Sequence, residues 1–241
     1  SRPVLSVAYD VGQRAAMEDT FTAVPHAELF LPVRSDESGP VQATVMGVFD
    51  GHAGRLASRY ARSQLVHALI NDPAFPHDFE TAAARSFALV NERFCSRARH
   101  LQVRAGTTAV IIAVINDELM LANVGDSESV LCRDGKAVPL TRRHVPSSPR
   151  ERQRVENSGT RVRHFMGTWR VEGTMAVSRS IGDCHLPILS PLPHTARVKL
   201  HAARDAFVVS ASDGLFDVMS PAEVVEFVTP YASSRKGRAA A

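Results

Sequence analysis

Apolar residues recur along the chain with two different periods. Leu56, Tyr60, Ala61, Leu65 and Leu69 form one stripe, and Phe79, Ala83, Phe87, Val90 and Phe94 form a second. Steps of three or four residues return a side chain to the same face of an α-helix, so a pair of amphipathic helices is expected between strand blocks. From Gly106 onward the pattern becomes strand-like. Residues 107–115 are apolar and β-branched, Asn116-Asp117 offers a turn and residues 119–124 return, which reads as an antiparallel hairpin. A second hairpin is expected from residues 129–132 and 136–140, joined through Asp134-Gly135, a dipeptide that accepts the positive φ of tight turns.

Punctuation marks two more helices. Ser148 reads as an N-cap, Pro149 as the first helical residue, Glu151 as the partner in a capping box and Gly159 as the far end. Ser220, Pro221 and Glu223 repeat that start signal ahead of Val224, Val225, Phe227 and Val228. Residues 35–40 and 71–77 read as surface loops. No internal repeat, low-complexity tract or long linker divides the chain, which predicts one domain.

Composition narrows the class without naming it. The 241 residues suffice for a sizeable core, and 44% hydrophobic with 22% charged residues is ordinary for a globular protein. Cys95, Cys132 and Cys184 are far apart, odd in number and lack CxxC spacing, so neither a disulfide scaffold nor a zinc ribbon is expected. A reducing, intracellular setting in cytoplasm or nucleus follows as the expectation. No apolar run approaches the roughly 20 residues of a membrane span, and residues 1–10 carry no signal-peptide pattern. The net charge of +3 is uneven, because Arg142, Arg143, Arg150, Arg152, Arg154, Arg161, Arg163 and Arg170 crowd one stretch. That stretch reads either as a surface for an anionic partner or, preferably, as a solvated helix with its turns, since Glu151 and Glu156 are interspersed. Basic and aromatic residues do not interleave there, so no nucleic-acid partner is expected.

The chemistry lies in carboxylates. Four apolar runs, at 44–48, 119–124, 175–181 and 207–212, each end at an Asp beside a Gly: Asp50, Asp126, Asp183 and Asp213. Asp217, Glu18 and Asp19 add further acids. One Asp-Gly pair is ordinary turn chemistry, but four in one domain suggest a gathering of acids whose repulsion a cation would relieve. Carboxylates without a thiolate or imidazole cluster select Mg2+, Mn2+ or Ca2+ over zinc or copper.

In order along the chain, these residues resemble the metal-dependent Ser/Thr protein phosphatases of type 2C. Arg14-Ala15-Ala16-Met17-Glu18-Asp19 resembles R-x-x-M-E-D, residues 48–54 resemble V-x-D-G-H-x-G, and Gly106-Thr107-Thr108-Ala109 resembles G-(S/T)-T-A. Asn123-Val124-Gly125-Asp126-Ser127, residues 175–183 and residues 211–217 are similar to N-x-G-D-S, L-A-V-S-R-A-(L/I)-G-D and A-(S/C)-D-G-x-(W/F)-D. The resemblance implies an α+β fold, a four-layer α-β-β-α sandwich of two antiparallel sheets packed face to face and flanked by helices. It implies two Mg2+ or Mn2+ ions bridged by Asp50, with Glu18 and the Gly51 carbonyl on one and Asp213 on the other. The water between them would attack phosphorus. Arg14 would hold the phosphate, His52 would be the general acid, and Asp19 would contact metal-bound water. Asp126, Asp213 and Asp217 match the lining of a third, weaker metal site, and Arg170 a position near the cleft.

The implied substrate is a phosphorylated protein, acted on by a monomer; the alternative is a catalytically impaired pseudophosphatase serving as a binding module. Two positions depart from the family pattern: Glu128 stands where an arginine is expected, and Arg143-His144-Val145-Pro146 replaces Asp-His-Lys-Pro. Family domains also continue through another helix and a strand carrying an Asp-Asn pair. Residues 1–241 are therefore expected to be a single catalytic domain cut before those elements, with residues 235–241 opening the next helix.

Overall fold

The computed structural model describes residues 5–29 and 41–238. Its largest sheet is antiparallel and five-stranded, in the order β1 (Thr20–Leu29), β2 (Val41–Phe49), β5 (Ala109–Ile115), β6 (Glu118–Val124) and β12 (His194–Lys199). The two helical stripes form α1 (Leu56–Ile70) and α2 (Phe79–His100) on one face of that sheet. Ala61, Leu65 and Leu69 of α1 and Phe79, Ala83, Phe87 and Val90 of α2 share a cluster with Ile111, Ala113 and Ile115 of β5. The alternate residues of β5, Val110 and Ile112, point the other way and meet Leu131 of a second sheet and Leu140 just beyond it. A strand covered on both faces has no polar side, which is why residues 109–115 read as an unbroken apolar run. Each large side chain so enclosed contributes about 1.5–3 kcal/mol.

The second sheet is β13 (Asp205–Ala211), β7 (Glu128–Arg133) and β8 (Lys136–Pro139). Its outer face packs Val130 and Cys132 against Phe216, Val224 and Val225 of α4 (Asp213–Phe216) and α5 (Pro221–Arg238). The layer order is thus helix, sheet, sheet, helix, as the resemblance implies. Both hairpins form as read, and Asp134 and Gly135 turn the second with φ of 52° and 72°. Ser220 and Glu223 close a reciprocal capping box at the start of α5.

A third, very small sheet decides where the chemistry goes. In it β4 (Gly106–Thr107) is flanked by β3 (Gly51–His52) and β11 (Ile181–Gly182). A fourth, two-stranded sheet pairs β9 (Val162–Phe165) with β10 (Thr168–Val171) beside α3 (Pro149–Glu156).

Several expectations are corrected. Glu151 is not a capping partner: Ser148 makes no side-chain cap bond, and Glu151 is 2% exposed, taken by the Arg179 and Arg154 guanidiniums and by Ser178. A buried guanidinium needs a carboxylate more than a helix end needs a cap. Of the four runs ending in Asp, residues 175–180 form no strand, because Ser178, Arg179 and Ser180 are buried polar groups spent on Glu151, Asp183 and loop carbonyls. Residues 235–238 continue α5 through Pro230 instead of opening a new helix.

Cys95 of α2 and Cys184, just after β11, form a disulfide of 2.08 Å, which overturns the reading of three unpaired cysteines and removes the ground for a reducing compartment; Cys132 is free and buried. Leu56 is 51% exposed, since Ala57 takes the inward place at the start of α1. Phe75 lies buried within the 71–77 turn, while residues 35–40 are outside the described residues. The arginine stretch is dispersed structurally: Arg154 bonds the Ser178 and Ile188 carbonyls, Arg152 lies 3.7 Å over the Trp169 ring, and Arg170 donates to the Thr174 carbonyl. Among the described residues no helix is long and apolar enough to cross a membrane.

Candidate active site

Asp50 lies between β2 and β3, where the chain leaves the large sheet for the small one. Its backbone is clamped by the 106–109 motif: Asp50 N–H donates to Thr108 Oγ1 at 3.2 Å, and its carbonyl accepts from Thr108 N–H at 2.9 Å and Thr107 Oγ1 at 3.0 Å. Thr108 Oγ1 in turn bonds Ser127 Oγ at 2.7 Å, which seats the 125–127 turn beside Asp50. Gly125 has φ of 90°, and a Cβ there would lie 2.5 Å from Thr108 Cγ2, so this contact requires glycine. Three motifs remote in sequence are thereby interlocked by hydroxyls and backbone.

The result is a carboxylate group. Oxygens of Asp50, Asp126 and Asp213 all lie within 4.8 Å of one another, Asp126 being buried and the other two half-buried. Asp213 enters as the first residue of α4, and its neighbour Ser212 donates to Asp19 Oδ2 at 2.8 Å. Burial, then the charges of Asp19, Asp213 and Asp126, push the Asp50 carboxyl up to about 9. Burial and Asp213 likewise raise Asp126 to about 6, with Arg143 opposing. Acids in such a state are held together at a cost that a hard divalent cation removes, and the all-oxygen donor set suits an ion of that class. Asp50, Asp126 and Asp213 are the residues that would hold it.

The other residues singled out in the sequence fall around this group. Glu18 stands outside the triad; its Oε1 accepts from Gly54 N–H at 2.9 Å, and its backbone oxygen packs so closely on Gly51 that a Cβ there would be 2.6 Å away. Asp19 accepts from Ser212 Oγ, and its charge is among those that raise Asp50. Asp217, just past α4, is paired with Arg143 at 2.8 Å. Arg14 lies in exposed coil, and among the described residues its side chain makes no hydrogen bond or ion pair to the acids. Asp183, one of the four aspartates expected to gather at a cation, lies outside that group and aims His52 instead: His52 Nε2 lies 2.8 Å from Asp183 Oδ2, which also accepts from Ser180 Oγ at 2.6 Å. Gly106 makes room for this contact, since a Cβ there would be 2.1 Å from Asp183 Oδ2.

The sequence model of the family described as Protein phosphatase 2C matches residues 10–241. The chain belongs to the protein phosphatase 2C family. It is 35% identical over 227 residues to "Probable protein phosphatase 2C 59" of Arabidopsis thaliana, covering 94% of this chain and 69% of that protein. It is 35% identical over 225 residues to "Protein phosphatase 1E" of Mus musculus, covering 93% of this chain but only 29% of the relative, so it spans less than a third of that protein. The crystal structure of serine-threonine phosphatase 2C from Toxoplasma gondii shares the fold, with a TM-score of 0.80 at 22% identity over 95% of this chain and 82% of that one.

Within this protein phosphatase 2C domain, the two departures from the family pattern turn out to be neighbours: Arg143 Nε lies 3.7 Å from Glu128 Oε1. Asp183 and Arg143 are the site residues that sequence reasoning missed. The signal for Asp183 was present, as one of four Asp-Gly pairs closing apolar runs, but no spacing linked it to His52.

Proposed function

We propose that this chain is a Mg2+- or Mn2+-dependent protein phosphatase acting on phosphoserine and phosphothreonine. The reading rests above all on the convergence of Asp50, Asp126 and Asp213 within 4.8 Å of one another. Divalent ions held there supply an activated water and offset charge on the phosphoryl oxygens. Asp50 is central because Asp19, Asp126 and Asp213 all crowd it. Glu18 and the Gly51 carbonyl complete the inner end of this set, and Asp19 orients water beside it. Arg14, on the exposed segment ahead of Glu18, grips the phosphate oxygens with its guanidinium fork. His52 gives a proton to the departing serine or threonine oxygen, and Asp183 holds its ring for that purpose. The binding-module alternative gains no support, since the three aspartates and His52 are all in place.

The test is phosphate release from a phosphothreonine peptide on addition of MnCl2 or MgCl2, abolished by Asp50→Ala. Absence of release with either metal would overturn the reading.

A further inference from the structure

Glu128 opens β7 and pairs with Ala211 of β13, so its backbone is fixed at the edge of the acid group. Arg143 is fixed just as firmly from both sides: Asn123 Nδ2 donates to the Arg142 carbonyl at 2.9 Å, and His144 N–H to the Gly125 carbonyl at 2.9 Å. From there the guanidinium lies 3.7 Å from Glu128 Oε1 and donates to Asp217 Oδ1 at 2.8 Å. The two departures from the family pattern thus meet in one ion contact, with the acid at 128 and the base at 143.

The neighbours of this guanidinium are outer carboxylates. Arg143 is bonded to Asp217 and faces Glu128. A guanidinium is permanently charged and directional, and here the backbone that carries it is held at the residues on both sides. A divalent ion seated among Asp126, Asp213 and Asp217 would have to displace it from Asp217 and then endure it at close range. Among the described residues, no cation is paired with the inner carboxylates, Asp50 with Asp19 and Asp213.

We propose that Arg143 is a built-in counter-cation for Asp217, so that this chain takes up divalent ions around Asp50, Asp126 and Asp213 and refuses a further one that would need Asp217. This rests on the metal-dependent reading above. A domain with fewer ions to load depends less steeply on free metal concentration than one whose outer site is open.

Calorimetric titration of metal-free protein with MnCl2 tests it. Two variants are compared with the unaltered chain: the exchange Glu128→Arg with Arg143→Asp, which keeps an ion pair but frees Asp217, and the milder Arg143→Gln. Both are expected to take up one more Mn2+ per chain, or to bind the last ion at least about tenfold more tightly. Equal stoichiometry and affinity in all three proteins would overturn the proposal while leaving the inner metal site intact. Failure of all three to bind Mn2+ would overturn both readings.

Discussion

Asp183 Oδ2 and His52 Nε2 stand 2.8 Å apart although 131 residues separate them in sequence. The carboxylate is 1% exposed and the imidazole 27%, so one end of the ring is gripped inside the protein while the other remains open to solvent. With Nε2 so engaged, Nδ1 is the ring nitrogen left to reach a substrate.

Replacing Asp183 by Asn should therefore act through His52. On a phosphothreonine peptide kcat is expected to fall about 10–100-fold with little change in KM. On p-nitrophenyl phosphate, whose leaving group needs no proton, the fall should be far smaller. His52→Gln should show the same split between substrates. A uniform loss on both would mean that Asp183 only supports the fold.

Removing metal should expose the cost of the acid cluster. The Asp50 carboxyl is raised from 3.8 to about 9, so the metal-free folded state binds more protons than the unfolded state between those values. The stability it contributes is complete below 3.8 and is lost as pH rises through 9. In chelator, the thermal midpoint is expected to fall from pH 5 to pH 9, and MnCl2 should restore it at pH 8. Asp50→Asn should raise the midpoint in chelator at pH 8 and abolish the response to Mn2+.

The Glu151–Arg179 pair predicts a large and specific loss of stability. The guanidinium and carboxylate are 10% and 3% exposed and 2.6 Å apart. Glu151→Gln leaves a buried charge without its partner, and urea unfolding should show a loss of about 3–5 kcal/mol. Replacing both, Glu151→Leu with Arg179→Met, should cost less than the single change.

His144 predicts weakening in mild acid. Burial, then the Arg179 charge, lowers it from 6.5 to about 3, and its buried Nδ1 has no hydrogen-bond partner among the described residues. The folded state holds it neutral while the unfolded state protonates near 6.5, so stability falls as pH drops from 6.5 toward 3. Glu151, held down at about 2 by Arg179 and Ser178 despite its burial, adds its loss only below 4.5. Between pH 6.5 and 4.5, His144→Leu should flatten the dependence of urea midpoint on pH relative to the unaltered chain.

Local periodicity alone determined α1, α2 and both hairpins, because a helix stripe and an alternating strand are set by neighbours within a few residues. The order of six short motifs likewise marked the family and most of the acids, and Asp50, Asp126 and Asp213 do converge. What it did not determine were pairings between distant segments, which depend on where the sheets bring them. Cys95 meets Cys184 only because α2 packs beside β11, and Glu151 leaves its helix cap only because Arg179 is buried beneath it. Asp183 faces His52 through the small sheet centred on β4, and Glu128 meets Arg143 only after the β7–β8 hairpin has turned the chain back. Burial and proximity in space fix the charge state and partner of each such group, and neither is encoded in the spacing of residues along the chain.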